Sequence, residues 1–190
     1  MIDLHEGWQL AEALPGLDAS ALSVLPDSAW LPAAVPGTAH GALLAAGHIP
    51  DPYYGCQEAE VAWVGPRRWA WRLRFEADGE LAPREELVFE GLDTYCTVWL
   101  NGSKLFDSDN MFVPRRVDVG TRLKPGANEL LVCFEPPLAR ARPRAARALV
   151  SSTKPKAPAV ASNTVSVGCS RKDSSVVRAS VASIDSSDHR

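Results

Sequence analysis

Four histidines, His5, His40, His48 and His189, stand far apart in the chain, and none forms an HxH or HExxH arrangement. A zinc-like site needs several such ligands at fixed spacing, so no metal site is expected. There is no GxSxG nucleophile turn and no phosphate-cradling glycine loop, so no cofactor is expected either. The carboxylates offer two close pairs, Glu58/Glu60 and Glu85/Glu86. Acetal cleavage by two carboxyl groups with retention needs them about 5–5.5 Å apart on a rigid frame. Both pairs fall in segments that read as loops. They are expected to be solvated charges, and no catalytic residue is assigned. The cysteines, Cys56, Cys96, Cys133 and Cys169, form no CxxC pair. Cys96 and Cys133 lie in strand-like apolar runs and read as buried thiols of a reducing compartment. A disulfide between them stays open if their strands are neighbours. The aromatics remain. Tyr53 and Tyr54 share a proline-stiffened loop with Asp51, and Trp63 stands just before a strand. Rings at a rim can stack on a ligand, whereas rings under a sheet are core. Asp51, Tyr53, Tyr54 and Trp63 are the candidate binding residues; packing is their alternative role.

Such side chains need a frame, and the frame reads as β. Trp69, Trp71, Leu73 and Phe75 alternate with Arg68, Arg72, Arg74 and Glu76, which predicts an outer strand with one wet face. Leu87–Phe89 and Thr94–Leu100 predict two more strands, and the second runs into Asn101-Gly102, a hairpin signal requiring positive φ at both residues. A return strand is expected at Leu105-Phe106, and another at Arg116–Val119. Leu130 to Phe134 is apolar on both faces and predicts a central strand, ended by Pro136-Pro137. Leu4 to Leu10 could supply a first strand carrying Trp8. One helix is expected at Ala39–Ala46, capped by Thr38, ended by Gly47, with Leu43 and Leu44 facing the core. Trp69, Trp71, Phe89, Trp99, Val132 and Phe134 are the expected core. Short strands with regular turns imply an all-β fold, an antiparallel jelly-roll β-sandwich.

The chain has 190 residues and a formal net charge of −3. Every aromatic residue lies at or before Phe134. Residues 1–134 carry a net charge of −9, and residues 135–190 carry +6. The second stretch is rich in Ser, Ala and Val and has too little apolar bulk to offset its ordering entropy. The expected organisation is a β-sandwich over 1–138, a basic linker over 139–150 and a disordered tail over 151–190. The overall acidity argues against nucleic acid as a partner. No apolar stretch approaches the ~20 residues that a bilayer requires, so no membrane partner is expected. The N-terminus carries acids where a signal peptide carries bases, which points to the cytoplasm.

Several motifs occur in a recognisable order. They are Val35-Pro-Gly-Thr-Ala-His40, Gly47-His-Ile-Pro-Asp-Pro-Tyr-Tyr-Gly55, Leu87-Val-Phe-Glu-Gly-Leu-Asp-Thr94, Val98-Trp-Leu-Asn-Gly102, Ser108-Asp-Asn-Met-Phe-Val113 and Leu123-Lys-Pro-Gly-Ala-Asn128. Over about residues 3–147 the chain resembles the start of the β-mannosidases of glycoside hydrolase family 2. The resemblance implies a galactose-binding-like jelly roll, followed in such enzymes by immunoglobulin-like domains and a (β/α)₈ barrel. The barrel supplies a glutamate acid/base and a glutamate nucleophile, and terminal β-D-mannose leaves the non-reducing end with retention. The jelly roll lends loops to the rim of the sugar site, where Asp51, Tyr53, Tyr54 and Trp63 are the candidates. The partners implied are a β-mannoside, in the context of the full enzyme, and the missing C-terminal domains. The chain departs from the family in three respects. It lacks the Trp-Asp-Trp-Gly-Pro stretch that helps to hold the sugar, and residues 151–190 resemble no part of the family. Gln57-Glu58 also stands where the family more often has Asn-Glu. The chain therefore reads as a truncated fragment, inactive alone. The alternatives are a stand-alone carbohydrate-binding sandwich and a non-enzymatic interaction domain.

Overall fold

The structure is a computed structural model that describes residues 2–77, 85–137, 139, 164–166 and 179–183. In chain order its strands are β1 (Ile2–Asp3), β2 (Gln9–Glu12), β3 (Leu31–Pro32), β4 (Gly37–Thr38), β5 (Trp69–Ala77), β6 (Glu85–Phe89), β7 (Gly91–Asp93), β8 (Cys96–Leu100), β9 (Ser103–Ser108), β10 (Arg115–Asp118), β11 (Gly126–Phe134), β12 (Thr164–Ser166) and β13 (Ala179–Ser183). The helices are α1 (Ala19–Ser23), α2 (Ala39–Ala45) and α3 (Glu58–Val61), with a 3₁₀ turn at Asp27–Ala29. A six-stranded sheet runs β3-β2-β5-β11-β8-β9, a four-stranded sheet β1-β13-β6-β10, and a three-stranded sheet β4-β12-β7. All pairings are antiparallel. The all-β antiparallel sandwich read from the sequence is the fold.

The six-stranded sheet buries both faces. Its inner face presents Leu10, Trp69, Trp71, Leu73, Val98, Leu100, Leu130, Val132 and Phe134 to Leu87 and Phe89 of β6 in one core. Its outer face presents Ala11, Ala70, Leu131 and Cys133 to Ala19 and Leu22 of α1 and to Trp30. This second layer corrects the outer-strand reading of β5, which lies between β2 and β11 as a central strand. Arg72, expected on a wet face, is fully buried beneath the segment that carries Asp27 and Trp30. Alternation alone could not reveal that lid, because the lid comes from another part of the chain. Trp99 also departs from expectation. It is half-buried at the edge of the second layer, whereas Trp69, Trp71, Phe89, Val132 and Phe134 are core.

Local signals place the ends of elements. The hydroxyl of Thr38 accepts the N–H of Gly41 at 2.9 Å and caps α2. Leu43 is buried, but Leu44 is 39% exposed and does not face the core. The β8–β9 hairpin turns at Asn101 and Gly102, with φ of 52° and 78°. Of the first strand expected at Leu4 to Leu10 only Gln9 and Leu10 are strand, in β2; buried Trp8 precedes them and donates its indole N–H to the carbonyl of Leu4 at 2.7 Å. Of the expected linker, only Ala139 is described. Within 151–190, expected as a disordered tail, β12 and β13 pair with the sheets; the remainder, including Cys169 and His189, lies outside the described residues.

Candidate functional site

The candidate loop begins where α2 ends. The N–H groups of Gly47 and His48 donate to the carbonyls of Leu44 and Leu43, each at 2.9 Å. Gly47 has a φ of +71°, which a residue with a side chain reaches only under strain. The turn delivers Ile49 into the core and leaves the following residues outside. Asp51 then organises them. Its carboxylate accepts the N–H of Tyr53 at 2.9 Å, and its carbonyl accepts the N–H of Tyr54 at 3.1 Å. Tyr53 is 96% exposed and Tyr54 74% exposed. Two rings therefore project from a hydrogen-bonded turn, and packing under the sandwich does not account for them. Asp51, Tyr53 and Tyr54 belong to one constellation, in which Asp51 shapes the backbone.

Trp63 is held by other contacts. It follows α3, packs against the main core, and lies 6.3 Å from the ring of Trp69. The guanidinium carbon of Arg67 sits 4.5 Å over its ring, a cation–π contact that covers one aromatic face. The ring is half-buried between these contacts and the core.

The acidic pairs do not make a two-carboxylate site. Glu58 and Glu60 lie on α3 rather than in a loop, both exposed. Residues two apart on a helix do not face one another. Glu85 and Glu86 lie in β6 rather than in a loop, and successive strand residues point to opposite faces. Glu85 is buried, and Glu86 stands 3.6 Å from Arg116. Among the described residues no group of three or more His, Cys, Asp or Glu is arranged to hold a metal ion.

Several polar groups were invisible to the motif reading. Arg72 donates to the side chain of Gln9 at 3.0 and 2.8 Å and to Asp27 at 2.8 Å, with its guanidinium carbon 4.2 Å over the ring of Trp30. Arg74 also reaches Asp27, at 3.3 Å. The hydrogen bond from Arg72 and the charge of Arg74 hold the Asp27 carboxyl below its ordinary value. Asp93 is the opposite case: burial raises its carboxyl above the usual range, partly offset by a hydrogen bond from the Thr94 hydroxyl. Burial lowers the pKa of His40. Phe112 and Val113, 82% and 47% exposed, add a second apolar protrusion after β9. Their only sequence signal was membership of a motif, since an exposed loop has no periodicity. Cys96 and Cys133 are free, buried thiols assigned to opposite core layers, so adjacency of β8 and β11 brings no disulfide. Burial pushes the Cys133 thiol up to about 11.

A cavity of about 400 Å³ lies at the end of β5, β8 and β11, lined by Arg74, Phe75, Asn101, Asn128 and Glu129. Its polar groups already pair with each other, Arg74 with Glu129 at 3.2 Å and Asn101 with Asn128 at 2.8 Å. None of the four candidate binding residues lines it.

Residues 8–178 match the family described as glycosyl hydrolase 2 galactose-binding domain-like. That match extends beyond residue 147, into the span that showed no motif resemblance. The chain is 39% identical over 137 residues to β-mannosidase B of Thermothelomyces thermophilus, covering 71% of this chain and 15% of that protein. It is 37% identical over 142 residues to β-mannosidase B of Emericella nidulans, covering 73% and 16%. The crystal structure of a β-D-mannosidase from Dictyoglomus thermophilum superposes with a TM-score of 0.66 at 33% identity, over 76% of this chain and 17% of that one. An exo-chitosanase from Amycolatopsis orientalis shares the fold, with a TM-score of 0.63 at 23% identity over 72% of this chain and 17% of that one. The chain thus spans about a sixth of the length of these relatives.

Proposed function

The chain belongs to the glycosyl hydrolase 2 galactose-binding domain-like family, and from that premise we propose that it serves as the N-terminal, rim-forming domain of a retaining β-mannosidase. The observation that carries this is the match to β-mannosidases over about three quarters of the chain and about a sixth of each relative. Retaining hydrolysis places one carboxyl as acid/base and another as nucleophile across a single bond. Neither acidic pair has that geometry here, so the two carboxyls come from the remainder of a longer enzyme. This domain contributes shape. Tyr53 and Tyr54 extend a rim that a terminal β-D-mannose can stack on, Asp51 holds the turn, and Trp63 is the fourth proposed contact. The working domain comprises 1–138 together with β12 and β13, which pair with its sheets. A cytoplasmic location accords with the free thiols of Cys96 and Cys133.

The test is a chimera in which residues 1–147 replace the matching segment of the Thermothelomyces enzyme. The chimera is expected to release nitrophenol from a β-mannoside, and this chain alone is expected to release none. Tyr53→Ala with Tyr54→Ala in the chimera should raise KM more than it lowers kcat. An inactive but folded chimera, or turnover by the isolated chain that Glu58→Gln or Glu85→Gln abolishes, would overturn the reading. The exposure of both tyrosines also favours a second role, binding of carbohydrate by the domain itself. Titration of the isolated chain with methyl β-mannoside, followed by tyrosine fluorescence, separates that role from the first.

A further inference from the structure

Two of the three sheets are completed from the far end of the chain. β13 lies between β1 and β6, and β12 lies between β4 and β7. β6 and β7 follow one another, separated by Glu90 alone. The registers show how the late strands meet them. Thr164, Val165 and Ser166 stand opposite Asp93, Leu92 and Gly91. Ala179 to Ser183 then stand opposite Phe89 to Glu85. The two late segments therefore lie on one line, an interrupted strand antiparallel to Glu85–Asp93. On its other side this strand pairs with Gly37 and Thr38 and with Ile2 and Asp3.

Removing the interrupted strand would leave β1, β4 and β7 with no strand partner among the described residues. It would also open the edge of β6–β7, whose side chains Leu87, Phe89 and Leu92 are core. An open edge above an apolar core is a template for an added strand. Recognition there runs through main-chain hydrogen bonds, which any extended segment without proline can make. That accounts for a short Ser-, Ala- and Val-containing segment taking the position without aromatic anchors.

We propose that Glu85–Asp93 is a strand-accepting edge and that its occupant in this chain is the chain's own Thr164–Ser166 and Ala179–Ser183, bound in cis through the backbone. The site is distinct from the tyrosine loop and independent of the proposed glycosidase role. It makes the late segment a structural member of the sandwich, exchangeable for the same sequence offered as a peptide.

Hydrogen exchange on the full chain tests this. Val181→Pro removes a ladder N–H from the middle of β13. In that variant the amides of Glu85–Phe89 that face away from β10 should exchange about tenfold faster or more, while β5 and β11 keep their protection. A peptide spanning residues 176–186, added in excess, should restore protection. Asp173→Pro, between the two strands, should change nothing. If Val181→Pro unfolds the whole chain, recovery on adding the peptide supports the site and failure to recover overturns it. Wild-type protection of 85–89 in Val181→Pro overturns the proposal. A dimeric wild-type chain that becomes monomeric in Val181→Pro overturns the cis assignment.

Discussion

At the scale of single residues, the informative side chain is Arg72. Its position in an alternating strand marks it as solvent-facing, yet it is fully enclosed by Gln9, Asp27 and Trp30. The stem is buried, Nε and Nη2 pair, and the plane stacks on indole, a combination that Lys cannot reproduce. Asp27 gives a pH signature. Its folded carboxyl titrates below the ordinary 3.8, so its contribution to stability is complete above that value and is lost as pH falls through the lowered one. Asp27→Asn is therefore expected to lower stability at neutral pH and to flatten the loss on acidification below about pH 4. Urea unfolding at pH 7 and pH 3 checks this; parallel losses in wild type and variant would show that the pairing is inconsequential.

At the scale of elements, the β8–β9 hairpin shows how one dipeptide positions several strands. Asn101 takes a φ of 52°, and its side chain donates to the carbonyl of Arg122 and to Asn128, both at 2.8 Å, and accepts the N–H of Glu129 at 3.0 Å. It thereby ties the hairpin to the start of β11. Asn101→Ala loses these bonds and puts there a residue without the polar side chain that makes the left-handed region tolerable to Asn, an expected cost of about 2–3 kcal/mol. Asn101→Gly keeps the turn and loses only the bonds, so about 1–2 kcal/mol is expected. Equal losses for the two variants, measured by denaturant midpoint, would contradict a conformational contribution. The tryptophans of neighbouring strands separate by layer. Trp71 lies in the main core with no exposure, and Trp71→Ala should cost about 3–5 kcal/mol. Trp99 borders the thinner outer layer, and Trp99→Ala should cost about 1–3 kcal/mol. The reverse order would mean that the outer layer carries the fold.

At the scale of the whole molecule, the sandwich is a frame with loops, and its proposed chemistry belongs to a longer enzyme. The isolated chain is expected to show no β-mannosidase turnover, assayed by nitrophenol release, because Glu58/Glu60 and Glu85/Glu86 cannot span one glycosidic bond. Much of this architecture was legible in the residues. Period-two alternation, Asn101-Gly102 and Thr38 are local signals, and each acts through geometry within a few residues of itself. The tyrosine segment was legible as a loop from its prolines, whereas the bonds of Asp51 to the backbone two and three residues on came from the structure. The burial of Arg72, the half-exposure of Trp99, the strand positions of Glu85 and Glu86, and the pairing of 164–166 and 179–183 with the sheets were not. Each depends on which distant segment lies on top: the 18–30 segment over β5, or the late strands against β6 and β7. Local sequence determines what conformation a segment prefers and which face is apolar. Only the tertiary structure decides what covers that face, because burial is a property of the segment and its remote partner together.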